Sequence, residues 1–313
     1  MQVIPLSKVR KEDELLCGHK GAQLGELAFI GLPVPDGFIV TTEAYANFMT
    51  KSGLAEQIEG ALLQIDPVMH PDLSVVSEEI KGWATQIEID DGLKKEIMSA
   101  YRTLGVKFVA VRSSPIVADD IGVYLAGRLA TTMDVAEENL IENIKRCWLS
   151  LYSSRGLEYL FSKQLVHKQV IVAVVVQALV DAQVSGAMYC GKLGPTQEDC
   201  LIVEAGWGLG ETVVSGIVTP DRYVVNIKEF TVSESAVGRQ MKEYVRQGDK
   251  LRFVDVPEDR MNARKLTDEQ VRELAALYQK TFEHYKVPQK MEWALSNGSL
   301  FVVQTRPLAP QTE

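Results

Sequence analysis

The stretch Met291-Glu292-Trp293-Ala294-Leu295-Ser296-Asn297-Gly298-Ser299-Leu300-Phe301-Val302-Val303-Gln304-Thr305-Arg306-Pro307 constrains the fold more than any other part of this chain. Asn-Gly between apolar runs marks a two-residue hairpin, because both residues accept the positive φ of a type I′ turn. Strand side chains alternate between faces, so Gln304 and Arg306 share one face of the second strand, with Glu292 on its neighbour. Carboxylate, amide and guanidinium together suit a magnesium-bound polyphosphate: the acid holds metal and the guanidinium grips phosphate oxygens in bidentate fashion. The same residues also read as an edge hairpin with an ordinary Glu–Arg cross-strand pair.

At 313 residues the chain is long enough to divide a large core between two subdomains. Its 33 basic and 42 acidic residues give a net charge of −9, which argues against a general nucleic-acid or anionic-membrane surface. An anionic ligand must therefore be captured locally. The longest apolar run, Val170 to Val180, is too short for a membrane span and rich enough in valine for a buried strand. No basic start followed by an apolar core marks the amino terminus, so a cytoplasmic location is expected. Cys17, Cys147, Cys190 and Cys200 lack C-x-x-C spacing, and neither a zinc site nor a disulfide framework is indicated.

Apolar spacing predicts helices over Gly21–Ile30, Thr42–Met49, Leu54–Ile65, Leu73–Ile87, Leu93–Leu104, Ala136–Ser153 and Leu157–Gln164. A strand, Phe108–Val111, interrupts them and runs into Arg112-Ser113-Ser114. Strands are predicted at Val170–Val180, Ser185–Cys190, Cys200–Glu204, Tyr223–Ile227 and Leu251–Val254. A late helix is signed by Thr267 as N-cap, Gln270 as its capping-box partner, and Leu266 with Val271 as a hydrophobic staple. Its residues Val271, Leu274, Leu277, Tyr278, Phe282 and Tyr285 form a stripe expected to face a core.

Three further segments could carry chemistry. Gly18-His19-Lys20-Gly21 places a lysine between glycines ahead of a helix, where free amides and the helix dipole attract anions, though the Walker spacing is absent. Glycines at a helix start also serve packing. Arg112 is expected at the end of a buried strand, where ligands of α/β sheets gather, or else paired with a surface acid. Gly206-Trp207-Gly208-Leu209-Gly210-Glu211 fits neither the dinucleotide fingerprint nor a Walker loop. Taken together, the basic groups and the carboxyl-terminal hairpin suggest a nucleoside triphosphate cleft assembled from distant parts of the chain.

These segments, with Gly31-Leu32-Pro33-Val34-Pro35-Asp36-Gly37-Phe38, Thr41-Thr42-Glu43-Ala44-Tyr45, Val175-Val176-Gln177, Ser185-Gly186, Val214-Ser215-Gly216 and Thr219-Pro220-Asp221, resemble a known domain. It is the amino-terminal nucleotide-binding domain of the phosphoenolpyruvate synthase and pyruvate phosphate dikinase family, in the same order over nearly the whole chain. The resemblance implies an α/β (α+β), ATP-grasp-like fold in which two subdomains, expected at residues 1–186 and 187–313, enclose ATP and Mg2+. By similarity, Lys20, Arg112 and Arg306 are the catalytic, phosphate-holding cations, and adenine lies near Gln177 to Leu179. Gly127 sits in a loop closing over the phosphates, Glu292 and Gln304 are the metal ligands, and Gln304 also contacts the nucleotide. Phosphoryl transfer needs mainly charge neutralisation and alignment, which such groups supply.

The implied activity is an ATP-dependent phosphotransferase that passes phosphate to a histidine and thence to a small acceptor, pyruvate or a phenol as in phenylphosphate synthase. None of His19, His70, His167 and His284 lies in a phosphohistidine signature, so the accepting histidine is expected on a partner subunit or a missing domain. The sequence also departs from the family pattern: Ala118, Tyr124 and Arg128 replace an acid, a serine and a glutamine around Gly127, and Lys290 stands where a second metal-binding acid is usual. A cation cannot ligate magnesium, although it can meet phosphate directly. These changes leave room for a second reading, a nucleotide-binding regulatory subunit that has lost turnover. A free-standing ATP-grasp ligase is a third, disfavoured by the resemblance to phosphotransfer enzymes.

Overall fold

A computed structural model describes residues 1–65, 72–117, 129–165, 170–193 and 198–308. Gly127, the replaced positions Ala118, Tyr124 and Arg128, and His70 and His167 lie outside them. The chain forms two compact units, one of residues 1–26 and 36–179 and the other of residues 27–35 and 180–313. Thus the division falls at 179/180 rather than after residue 186. A cut at 186 would sever a strand whose whole length is paired within the second unit.

The first unit is built on a five-stranded antiparallel sheet of order β1-β2-β5-β3-β4, where β1 is Val3–Pro5, β2 Gly37–Val40, β3 Val109–Val117, β4 Thr131–Val135 and β5 Val170–Ala178. Helices α2 (Thr42–Lys51), α3 (Leu54–Leu63), α4 (Leu73–Thr85), α5 (Asp91–Leu104), α6 (Leu140–Leu149) and α7 (Ser154–Ser162) contribute to one core with alternate strand residues. Val109, Val111, Val172, Val174 and Val176 point into that core, around the fully buried Trp148. Helix α1 (Glu14–Phe29) lies along the other face, where Gly21 approaches Ile39.

The sequence predicts a strand that stops at Val111 with Arg112 at its tip. Instead, β3 continues through Ser113, Ser114 and Pro115 to Val117, paired throughout with β5, so Arg112 is interior to a strand. Pro115 is tolerated because its nitrogen points away from β5. The Ser113 amide donates to the Ala130 carbonyl on the β4 side, and two residues on the backbone nitrogen faces the same way.

The second unit holds a six-stranded antiparallel sheet of order β13-β12-β6-β7-β8-β9, with β6 Val184–Leu193, β7 Glu198–Trp207, β8 Asp221–Asn226, β9 Thr231–Ala236, β12 Gln289–Ser296 and β13 Ser299–Pro307. A separate two-stranded ribbon pairs β10 (Lys242–Gln247) with β11 (Lys250–Asp255). The expected hairpin is present, with Asn297 at φ 49° and Gly298 at φ 77°. Helix α10, after the four-residue helices α8 (Glu211–Val214) and α9 (Glu258–Met261), spans Asp268–Tyr285 with both halves of its capping box formed by Thr267 and Gln270. Its Val271, Leu274 and Tyr278 pack with Met291, Trp293, Leu295 and Val302. Phe282 leaves the expected stripe: it is exposed, and Thr281 is buried in its stead, its hydroxyl donating to the Leu277 carbonyl. Helical rotation favours position 281 over 282 as the neighbour of Leu274 and Tyr278 on the buried side.

Candidate active site

In the first unit the candidate groups gather where α1 crosses β3. Gly18 breaks α1 with φ 69° and ψ 162°, a backbone conformation essentially reserved for glycine. Ser114 bridges the break. Its hydroxyl donates to the Cys17 carbonyl at 2.9 Å and accepts from the Gly21 amide at 3.0 Å. The helix that resumes after the break therefore carries Lys20 in its first turn, not ahead of it. The Lys20 ammonium donates to the Ser113 carbonyl at 3.0 Å, which fixes it beside Arg112.

Arg112 is buried, and its Nη1 donates to Oε1 of the equally buried Gln177 on β5 at 3.1 Å. Through this contact the neutral amide of Gln177 orients the Arg112 guanidinium. Leu179, just past β5, donates its amide to the Phe108 carbonyl at 3.1 Å. Ser113 turns toward the core, its hydroxyl donating to the Ala130 carbonyl at 2.8 Å.

In the second unit one face of the sheet is apolar and covered by α10, and the other carries the polar candidates beside a small apolar cluster of Cys200, Ile202 and Val224. Register sets Gln304 opposite Glu292, and Arg306 opposite Lys290. The Glu–Arg cross-strand pair considered from sequence is therefore not the directly opposed pair. A β-bulge creates this arrangement. Glu292 pairs with Gln304 while its neighbour Trp293 pairs with Val302, so Val303 is an extra residue on β13. Leu300 and Val302 face the core, and strict alternation would send Gln304 and Arg306 there too. Because Val303 intervenes, Thr305 is the next buried side chain and Gln304 and Arg306 emerge on the polar face.

The polar face continues across β6 and β7. Tyr189 stands opposite Lys290, whose ammonium lies 5.7 Å from the ring centroid. The Tyr189 hydroxyl donates to Glu204 at 3.1 Å, and burial together with the Glu204 charge pushes its pKa up to about 12. Sequence reasoning passed over Tyr189 and Glu204, which carry no motif; their signal is the even spacing of polar residues along apolar strands.

The glycine-rich segment at 206–211 serves packing. Gly208, at φ 82°, passes so close to Tyr244 that a Cβ would lie 2.6 Å from its carbonyl oxygen. The amides of Trp207, Gly208 and Leu209 are taken by Gln240 Oε1, the Gln183 carbonyl and the Tyr244 carbonyl.

Magnesium fits the donor set of the second unit. Glu292 and Gln304 offer a carboxylate and an amide oxygen from directly opposed positions, both hard oxygen donors, and magnesium habitually completes its shell with water and phosphate. Lys20 and Arg112 in one unit, and an acid, an amide and a guanidinium on one sheet face in the other, are residue types suited to a polyphosphate ligand. The family model described as "Pyruvate phosphate dikinase, AMP/ATP-binding domain" matches residues 14–313, and the chain belongs to that family.

Curated relatives agree. The chain is 37% identical over 314 residues to a probable phosphoenolpyruvate synthase of Archaeoglobus fulgidus, covering 98% of this chain and 42% of the relative. It is 35% identical to the probable phosphoenolpyruvate synthase of Methanothermobacter thermautotrophicus, over 95% of this chain and 44% of that protein. A phosphoenolpyruvate synthase of Pyrococcus furiosus is 31% identical, over 98% and 43% respectively. The chain spans less than half the length of these relatives. Among solved structures, a D-alanine-D-alanine ligase from Helicobacter pylori aligns over 76% of this chain and 62% of its own at 9% identity, with a TM-score of 0.28. Among the described residues no helix is long and apolar enough to cross a membrane.

Proposed function

We propose that this chain is the ATP-binding, phosphate-donating part of a dikinase-type phosphotransferase with an ATP-grasp-like mode of nucleotide binding. Lys20 and Arg112 are phosphate-holding cations of the first unit, with Gln177 keeping the Arg112 fork in plane, and Arg306 is a phosphate-holding cation of the second. Glu292 and Gln304 would hold a magnesium ion, which supplies further charge neutralisation on the phosphates. The phosphoryl group passes to a histidine on a partner chain or on a domain outside this sequence. From there it moves to a small acceptor, for which pyruvate is favoured over a phenol by the printed names of the relatives.

The observation that carries this reading is the in-register set Glu292, Gln304 and Arg306 on one sheet face of a chain belonging to an AMP/ATP-binding family. Its physical sense is that phosphoryl transfer asks the protein for positioned charge more than for covalent chemistry. The second reading, a regulatory subunit that binds nucleotide without turnover, draws on Lys290 standing beside Glu292. Incubation with ATP labelled in the β- or γ-phosphoryl group, together with the histidine-bearing domain of a related phosphoenolpyruvate synthase, separates the two. Acid-labile label on the histidine supports transfer. Saturable binding with no label transferred supports the regulatory reading, and absence of binding defeats both.

A further inference from the structure

Lys290 and Arg306 are directly opposed on β12 and β13 and emerge on the same face. Side chains so placed have Cβ atoms roughly 4.5–5.5 Å apart, and like charges there destabilise a sheet. Four other cations of the second unit have an acid to answer them: Lys265 has Asp221, Lys242 has Asp255, Arg260 has Glu243 and Arg264 has Asp268, while Arg272 and Lys280 donate to the Asp268 and Gly31 carbonyls. Among the described residues neither Lys290 nor Arg306 is in an ion pair, and the contact Lys290 does make is with the face of Tyr189. An unneutralised pair of opposed cations at the edge of a sheet is a place built for an anion.

The acids nearby do not supply a second metal centre. In the cross-strand row Gln304, Glu292, Ala187, Glu204, the two carboxylates are separated by the β6 strand, which at the usual strand spacing is about 9–10 Å. Glu204 is moreover engaged by the Tyr189 hydroxyl. The adjacent row reads Arg306, Lys290, Tyr189 and holds no acid. Among the described residues no three His, Cys, Asp or Glu side chains come together as a metal cluster.

Resting on the nucleotide reading above, we infer that this site binds a nucleoside triphosphate with one divalent ion, and that Lys290 is a phosphate-contacting residue doing the electrostatic task of a second ion. Lys290 and Arg306 clamp the polyphosphate from one side while Glu292 and Gln304 hold the ion beside it. A fixed ammonium on a strand, braced against an aromatic face, is already in place when the ligand arrives; a second ion must be recruited from solution. Nucleotide affinity in this chain therefore depends less steeply on free magnesium than it would with an acid at position 290.

The test uses the full chain, a β,γ-imido analogue of ATP, and Mn2+ as the counted ion. Titration followed by electron paramagnetic resonance is expected to give one Mn2+ per nucleotide-saturated chain. Lys290→Gln is expected to weaken analogue binding about tenfold or more, the effect of removing a charged hydrogen-bond donor. Lys290→Glu is expected to restore some affinity only at high Mn2+ and to bind two ions per chain. Two ions in the unsubstituted chain, or unchanged affinity in Lys290→Gln with its fold intact by circular dichroism, overturns the inference while leaving the nucleotide reading standing. No binding of the analogue by the unsubstituted chain overturns the nucleotide reading itself.

Discussion

The two units treat their cations in opposite ways. In the first, Lys20 and Arg112 are tied by hydrogen bonds to neutral acceptors, the Ser113 carbonyl and the Gln177 amide, inside a sheet-and-helix crossing with little freedom to move. In the second, Lys290 and Arg306 are placed by strand register, with the Tyr189 ring beside the Lys290 ammonium, and face each other across a hairpin. The first arrangement makes binding groups part of the fold, so that the fold suffers when they are lost. The second makes them guests of the fold, and their loss is felt by a ligand alone. Preorganisation and stability are thus coupled on one side and separable on the other.

The comparison breaks most readily at Gly18. A Cβ there would overlap the carbonyl and hydroxyl oxygens of Ser114, in a backbone conformation that other residues avoid. Gly18→Ala is expected to cost on the order of 3–4 kcal/mol of stability, read as a large fall in the urea midpoint. A midpoint unchanged from the parent would show that the α1–β3 crossing is not what orients Lys20.

Arg112→Ala comes next. It removes a charged donor from a buried amide, and a loss of about 1.5–3 kcal/mol is expected alongside loss of nucleotide binding. Arg306→Ala sharpens the contrast, since it should abolish nucleotide binding and transfer while changing stability by no more than about 0.5 kcal/mol. Relief of the like-charge opposition with Lys290 makes a slight gain the expected sign. Equal destabilisation by the two arginine variants in chemical denaturation would erase the distinction drawn here.

The effect seen only at alkaline pH concerns the thiols buried in the first unit. Burial, with a further contribution from the Asp13 charge, pushes Cys17 up to about 12, and burial raises Cys147 to about 11. An unfolded thiol ionises near ~8.5, so as pH rises the unfolded chain gives up these protons first. The stability contribution is complete below about pH 8.5 and is lost as pH climbs toward the folded values. A decline of the urea midpoint from pH 8 to pH 10 is expected, reflecting at most about 2 kcal/mol per thiol, with neither thiol alkylated by iodoacetamide in the folded chain at pH 8. Rapid modification of either, located by peptide mapping, would show that the interior of this unit opens easily.

What could be read from the sequence follows the range of the forces involved. Thr267 with Gln270, and Asn297 with Gly298, are local devices acting within a few residues, and both structures stand as expected. The short strand β2 is not legible because it owes its form to β5, far along the chain, and the polar strands β4, β9 and β10 are not because they lack an apolar alternation, although β9 and β10 pair with chain neighbours. Arg112 was misplaced at a strand end because Ser-Ser-Pro reads locally as a break, whereas nine residues of valine-rich β5 draw β3 onward. At the candidate site the residue types were legible and their partners were not. Nothing in a linear reading says that Gln177 orients Arg112, that Ser114 spans the Gly18 break, or that Arg306 meets Lys290 instead of Glu292.

Val303 shows how little material such an outcome requires. It contributes no charge, yet by lengthening one edge of the hairpin by a single link it decides whether an amide and a guanidinium look outward or are driven against Trp293 and Tyr278. Excision of that one codon would keep every chemically active residue and invert its address. Selection on this hairpin therefore acts on arithmetic as much as on chemistry, and a length change here is a graver lesion than most changes of identity.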